Sequence, residues 1–371
     1  MATPKKTTTP APIINKKSIA FMHDLLNTPS PTGFEAAGQK VWLNYIKPYI
    51  DDQIIDDYGT VVGVINPGQK FSVAIEAHAD EISWFVKYIT DDGLIYVTRN
   101  GGSDHQIAPS KRVNIHVRKT GKIEKAVFGW PAIHTRGRDG KEEAPTLKNI
   151  CLDCGCFSKK EVEAKGITVG DVITYEDELM IMNEKLYVGR ALDNRMGGFM
   201  IAETARLLKE NKIKLPYTLY VINAVQEEVG LNGASMIAAR LKPNCAIITD
   251  VCHDTTTPMI SKIVEGEVKL GKGPVLSVAP AVHNKLLDLM IDVSNKNNIP
   301  FQMEALSRST GTDTDGFAFS GQGIPSSLIS LPLRYMHTTV ETAHHDDIEN
   351  SIRMYYHTLL ALKPNFNFKY L

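Results

Sequence analysis

Val225-Gln226-Glu227-Glu228-Val229-Gly230 follows the unbroken apolar run Leu219-Tyr220-Val221-Ile222 and precedes Leu231-Asn232-Gly233-Ala234. It sets two adjacent carboxylates at the point where a buried strand stops. A run of this kind, with Pro216 before it and Gly230 after it, predicts a central strand of a parallel sheet covered on both faces. In such sheets chemistry gathers beyond the carboxyl ends of the strands. An ionised carboxylate there is costly to desolvate unless it is paired or bound to a metal, so two in succession call for a cation. The same pair also fits a solvated Glu-Glu loop, and this stretch alone does not choose.

On either side of this strand the chain repeats the pattern. Helical spacing covers Ile19 to Leu26 and Glu35 to Ile50, separated by the breaker Thr28-Pro29-Ser30-Pro31-Thr32-Gly33. Strands are predicted at Thr60 to Ile65 and Phe71 to Ala77 around the turn Asn66-Pro67-Gly68, as a hairpin or a sheet edge. The second of them runs into Ala77-His78-Ala79-Asp80-Glu81. Further on, Asp193 stands at or just before the N-terminus of a helix carrying Met196, Phe199, Met200, Leu207 and Leu208. After a helix from about Gly233 to Arg240, a strand Cys245 to Thr249 ends in Asp250. A helix over Lys285 to Asn295 and the loop Arg308 to Gly316 come next. The strand Ser327 to Leu331 then runs toward His337, and a helix over Asp346 to Leu362 closes the chain.

Between about Trp84 and Tyr175 the character changes to short β-type segments at 85–89, 95–98, 113–117 and 125–128, punctuated by turns such as Asp92-Gly93 and Thr120-Gly121. The expected fold class is therefore α/β. A mixed, largely parallel sheet covered by helices is built from residues 18–83 and 180–371, and a small β-rich domain is inserted at 84–179. Arg136 to Glu143 is expected to be an exposed loop of that insert.

Composition narrows the function. The 371 residues hold 43% hydrophobic and 22% charged side chains, an ordinary globular balance. A net charge of -1 removes the electrostatic reason to expect nucleic acid or an anionic membrane as partner. No apolar stretch approaches membrane-spanning length. Residues 1–17, rich in Thr, Pro and Lys without an apolar core, read as a disordered lead-in rather than a secretory signal, so a cytoplasmic location is expected. Five cysteines, an odd number, point the same way. Cys151, Cys154 and Cys156 make a C-x-x-C-x-C cluster, but a closed zinc site needs four ligands and Cys245 and Cys252 lie far along the chain. Reduced, partly buried thiols on a strand are the expectation.

Four strands thus end in candidate ligands, His78, Glu228, Asp250 and His337, with Asp193 as a fifth before a helix. Two histidines and three carboxylates are the mixed nitrogen and oxygen set that Zn²⁺ prefers and that Co²⁺ or Mn²⁺ accepts. Five side chains exceed one tetrahedral ion and suit two ions bridged by a carboxylate. Individually each has an ordinary reading: His78 a structural histidine, Asp193 an N-cap, Asp250 a turn residue. His344 and His345 compete with His337 for the last position.

These motifs together resemble the M42 family of binuclear metallo-aminopeptidases, the group of the tetrahedral aminopeptidases. The resemblance is carried by His-x-Asp-Glu at 78–81, Ala191-Leu192-Asp193 with Arg195-x-Gly197, Gln226 to Gly230 with Gly233-Ala234, Thr249-Asp250-Val251, and Arg334-Tyr335-x-His337 with Val340-Glu341. It runs in order from about residue 18 to the C-terminus and includes Gly101-Gly102 and Val169-Gly170-Asp171 in the insert. It implies that Asp193 bridges two divalent metals, that His78 and Asp250 complete one site, and that Glu228 and His337 complete the other. It further implies Glu227 as general base toward the shared water and Asp80 as the partner of the second ring nitrogen of His78. The implied substrates are peptides that lose their N-terminal residue. The implied assembly is a homo-oligomer, from a dimer through the inserted domain up to a hollow dodecamer. A binuclear amidase or deacylase is the nearest alternative. Glycoside hydrolysis, suggested by relatives labelled cellulases, fits poorly because adjacent residues on one strand project to opposite faces. Asn194 where relatives carry a second Asp, Thr339 in place of a common Pro, and Thr314-Asp315 in the 308–316 loop depart from the family pattern.

Overall fold

The computed structural model describes residues 13–137 and 143–371. The chain enters through α1 (Lys16–Asn27) and α2 (Ala36–Ile46), then β1 (Asp52–Ile55), β2 (Val61–Ile65) and β3 (Ser72–His78). Asn15 caps α1, its side chain accepting from the backbone of Lys17 and Ser18 while the Ser18 hydroxyl returns to the Asn15 N–H. This corrects the expected disordered lead-in for its last five residues. Ile13 and the buried Ile14 pack on the main core, because two adjacent isoleucines supply the apolar surface that the Thr/Pro/Lys composition averages away. Residues 1–12 of that lead-in lie outside the described residues.

Six strands follow: β4 (Ser83–Ile89), β5 (Ile95–Asn100), β6 (Arg112–Val117), β7 (Lys122–Gly129), β8 (Cys151–Asp153) and β9 (Val172–Tyr175), with α3 (Lys159–Ala164) before the last. They close into a barrel in the order β4-β5-β8-β7-β6-β9. Alternate residues point inward, as Val113, Ile115 and Val117 do on β6, and fill a core of the barrel's own around Trp84, Phe128 and Ile173. The strands at β8 and β9 are too short to stand out in sequence. Cys151 lies on β8, whereas Cys154 and Cys156 are buried in the segment beyond it, and all five thiols are free. Of the loop expected at 136–143, positions 138–142 lie outside the described residues.

The chain then returns through β10 (Met180–Met182), β11 (Leu186–Gly189), α4 (Leu192–Glu210), β12 (Thr218–Ala224), α5 (Asn232–Leu241), β13 (Cys245–His253), α6 (Lys262–Glu265), β14 (Val275–Val278), α7 (Asn284–Lys296), β15 (Gln302–Ala305), α8 (Asp313–Ala318), β16 (Ser326–Leu333), β17 (Glu341–His344) and α9 (His345–Ala361). The main sheet has the order β1-β2-β12-β3-β13-β16-β14-β15. Its centre, β12, β3, β13 and β16, is parallel and buried on both faces, as the apolar runs predict. Of the hairpin or sheet edge expected around Asn66-Pro67-Gly68, the β2/β3 hairpin does not form, and β2 lies next to the edge strand β1. β12 lies between β2 and β3, antiparallel to β2 and parallel to β3. Six of the seven residues of β3 are buried, which demands a neighbour on each side and cover on each face. Helix α4 packs across the sheet with almost every side chain buried. Among the described residues no helix is long and apolar enough to cross a membrane.

Candidate metal centre

The parallel registers bring the strand ends to one edge. His78 is the last residue of β3 and pairs with Ala224, three residues before Glu227 at the end of β12. Asp250 lies on β13, which continues in register with β16, and His337 follows β16. Asp193 sits in the first turn of α4, where the backbone is not yet helical. The seven residues singled out in the sequence therefore meet here.

Asp193 occupies the middle. Its Oδ1 is 3.2 Å from His78 Nε2 and its Oδ2 is 3.3 Å from His337 Nε2, so each oxygen faces a different imidazole. Glu228 Oε2 is 3.7 Å from His337 Nε2, and Glu227 Oε2 is 3.8 Å from His78 Nε2. His78, Asp193 and Glu228 each offer a ligand atom within 4.8 Å of the others. Asp250 lines the same cavity and is buried. His344 and His345 serve elsewhere. His344 accepts from the Asp346 N–H at the start of α9, and His345 pairs with Tyr187 and Glu349.

Two further carboxylates hold the cluster in place. Asp80 Oδ1 is 3.3 Å from His78 Nδ1, and the Asp80 side chain also accepts the backbone N–H groups of Glu227 and Glu228 at 3.0 and 3.2 Å. The Asp80 backbone carbonyl is also 3.2 Å from His78 Nδ1, so this one residue sets both an imidazole and the turn carrying the Glu-Glu pair. Glu341, the first residue of β17, accepts the N–H of His337 at 2.7 Å and of Asp193 at 3.1 Å. In the sequence Glu341 is marked only by its motif with Val340 and its position four residues beyond His337.

The turn residues are unusual. Gln226 and His337 have φ of 58° and 61°, conformations sparsely populated by non-glycine residues, and both occur where a side chain is aimed into the cluster. Gly102 follows β5 of the barrel, and a Cβ there would lie 2.5 Å from the His337 ring. Only glycine lets the barrel approach the imidazole so closely. The sequence departures also find partners. Asn194 donates to the Thr249 carbonyl and accepts from the Gly197 N–H, a pairing that a carboxylate could not make on the donor side. The Lys111 ammonium of the barrel donates to the Thr339 hydroxyl and is 3.0 Å from Asp177. Asp315 accepts the N–H groups of Thr310 and Gly311 and so shapes the 308–316 loop.

Electrostatics identify what this cluster wants. Burial, reinforced by neighbouring carboxylates such as Asp313 and Glu228, pushes Glu227 up to about 9. Glu228 and Asp250 are driven well above the carboxylate range by burial and then by Asp193. For His78 burial acts downward, but Asp193, Asp80 and Glu227 outweigh it and hold the imidazole well above its usual value. His337, also opposed by burial, is held at about 10 by Asp193 and Glu228. Asp193, despite burial, is pulled well below the carboxylate range by the two histidines. Crowded carboxylates that repel one another, with imidazoles drawn toward positive charge, form a donor set deficient in cations. The oxygen and nitrogen donors fit divalent metal ions.

Beneath the cluster, Glu76 on β3 and Asp313 on α8 are buried with their carboxyl groups against each other, and their oxygens have no other hydrogen-bond partner among the described residues. Burial pushes Glu76 up to about 8 and, with the Glu76 charge, raises Asp313 well above its usual value. Neither stood out in sequence. In front of the cluster opens a cavity of about 710 Å³, reaching past Val251 and Cys252 to Glu304 and Leu306.

A parallel sheet bearing a buried His/carboxylate cluster at its strand ends, with a cavity before it, defines a hydrolase of the metallopeptidase class. The chain belongs to the peptidase M42 family: the model described as M42 glutamyl aminopeptidase matches residues 59–354. It is 30% identical to a lysyl aminopeptidase of Pyrococcus furiosus over 347 residues, 93% of this chain and 97% of that one. The crystal structure of a TET aminopeptidase from the marine sediment archaeon Thaumarchaeota archaeon SCGC AB-539-E09 superposes with a TM-score of 0.87 at 28% identity, covering 93% of this chain and 98% of the other. The Pyrococcus horikoshii TET1 peptidase, which can assemble into a tetrahedron or a large octahedral shell, superposes with a TM-score of 0.80 at 25% identity over 92% and 98% of the two chains. The chain is thus an aminopeptidase by family, a hydrolase of peptide bonds.

Proposed function

We propose that the protein removes the N-terminal residue of peptides, with His78, Asp193, Glu228, Asp250 and His337 holding two divalent cations, Zn²⁺ or Co²⁺ with Mn²⁺ as a substitute. The observation carrying this reading is Asp193, whose two oxygens face two different imidazoles. Asp193 would be shared by the two cations, with His78 and Asp250 holding one and Glu228 and His337 the other. When bound, such cations polarise the scissile carbonyl and acidify the attacking water.

The chain's residues do the rest. Glu227 lies beside the donor set, on a turn fixed by Asp80; bound cations would offset the carboxylate repulsion that raises it, and the ionised side chain then accepts the proton of the attacking water. As the carbon–nitrogen bond breaks, Glu227 passes that proton to the departing amine, which leaves neutral. Asp80 keeps His78 in one tautomer and orientation, and Glu341 does the same for the backbones of Asp193 and His337. Carboxylates of the cavity next to the scissile carbonyl accept the free α-amino group of the substrate. Hydrolysis of an unblocked aminoacyl anilide without hydrolysis of its N-acetyl counterpart is the expected result. Equal rates on both would make the protein a general amidase.

The inserted domain at 84–179 is proposed as the assembly element of a homo-oligomer, from dimer to dodecamer. The segments connecting its strands expose Phe157 at 87%, Ile133 at 70% and Val169 at 63%, apolar surface that association would cover. Light scattering is expected to give a mass several times that of one chain, and a monomer would exclude this role. A cytoplasmic location rests on the five free cysteines.

A further inference from the structure

We infer that the cavity beside the metal centre selects a basic N-terminal residue, lysine or arginine, and that Glu304 reads its cationic head. The inference rests on the aminopeptidase reading and adds the substrate class to it. Apart from the central cluster, the charged residues lining the cavity are Glu265, Glu304 and Asp315, and no Lys or Arg lines it among the described residues. Asp315 is spent on the backbone of its own loop. Glu265 ends α6 at the exposed rim.

Glu304 differs from both. It stands on the edge strand β15 opposite Ser277 of β14, is half-buried, and accepts the Ser277 hydroxyl on Oε1 at 2.6 Å. That bond fixes the side chain. Its other oxygen, Oε2, has no hydrogen-bond or ion-pair partner among the described residues. A half-buried glutamate at the wall of a cavity, fixed through one oxygen and open at the other, can accept a charged donor from a ligand.

The rest of the wall is partly apolar. Val251, Leu306 and Met336 line the same cavity and offer apolar surface to a methylene stem. A side chain that is aliphatic along its length and cationic at its tip satisfies both parts. A leucine side chain would cover the wall but offer Glu304 no donor, and a glutamate would add a like charge. The bound cations do not offset this. Two divalent ions bring +4 against the three carboxylates among the ligands and Glu227, so the centre approaches neutrality and leaves the wall's negative charge uncompensated.

The test is a panel of Lys, Arg, Leu and Glu anilides on the metal-loaded full-length protein, with kcat/KM measured for each, followed by the Lys-to-Leu ratio in Glu304→Gln. Lys and Arg are expected to exceed Leu by about tenfold or more and Glu by about a hundredfold, and the ratio is expected to fall at least about tenfold in the variant. The rim variant Glu265→Gln should lower it by less than about threefold. Preference for Leu or Glu in an active enzyme would overturn the inference and leave the aminopeptidase reading standing. Cleavage of none of the anilides with metal restored would overturn that reading as well. A Lys preference that Glu304→Gln leaves unchanged would overturn the assignment to Glu304. The wild-type panel decides the substrate class even if the variant fails to fold.

Discussion

Glu227→Gln is expected to lower kcat by about 10³-fold, within the range that loss of a positioned general base costs, while the protein keeps its metal. The expectation follows from where the side chain lies. Glu227 Oε2 is 3.8 Å from His78 Nε2, close to the cluster, but Glu227 is outside the His78, Asp193 and Glu228 group whose donor atoms converge. Glutamine has the same shape and leaves the Glu227 N–H bond to Asp80 in place, so the turn should not move. What disappears is an oxygen able to take and return a proton. Metal content by elemental analysis, measured beside kcat, checks this. The same change at Glu228 should behave in reverse, releasing metal first. Loss of metal from the Glu227 variant, or a rate within tenfold of the parent, would mean that base and ligand have been interchanged.

Removal of metal by a chelator is expected to abolish hydrolysis of aminoacyl anilides, with recovery on adding Zn²⁺ or Co²⁺. Polarisation of the carbonyl and activation of water together supply several kcal/mol of transition-state stabilisation, and no other residue in the cavity replaces them. Stability should change too. A ligand present at about a thousandfold above its Kd stabilises the folded state by about 4 kcal/mol, so the chelated protein should melt several degrees lower. The donor set explains the direction. Glu228 and Asp250 are buried beside Asp193, the imidazoles of His78 and His337 offset that repulsion only in part, and bound cations would offset the rest. Hydrolysis that survives chelation, of anilides or of cellulose-type substrates, would contradict the metal-dependent reading.

Much of this centre could be read from the chain. Buried parallel strands announce themselves as apolar runs, and chemistry at their carboxyl ends follows from the fold, so His78, Glu227, Glu228 and Asp250 were candidates from local pattern alone. Asp193 was legible as a carboxylate at a helix start. His337 was legible only as one of three histidines, because its distance from His344 and His345 along the chain says nothing about which ring turns toward Asp193. Local pattern also misplaced the N-terminus, where Asn15 and two isoleucines order a segment whose composition suggests disorder.

Long-range pairing escaped the sequence. Turn chemistry at Asn66-Pro67-Gly68 suggested that β2 and β3 pair, yet β12 inserts between them, because the demand of β3 for cover on both sides outweighs the proximity of β2 along the chain. Likewise, no spacing rule links Glu341 to Asp193, Asp313 to Glu76, or Gly102 of the barrel to the ring of His337. Those contacts depend on how separate elements dock.

By itself, then, the sequence determined the class of fold, the kinds of donor atom and the strand ends that carry them. These depend on burial and backbone geometry within a few residues. The tertiary structure decided how Asp193 is shared between two imidazoles, which carboxylates brace the cluster, and what the wall of the cavity presents to a substrate. Those properties depend on distances of a few ångströms between residues far apart in the chain, where the electrostatic interaction is strong and the local sequence carries no record of it.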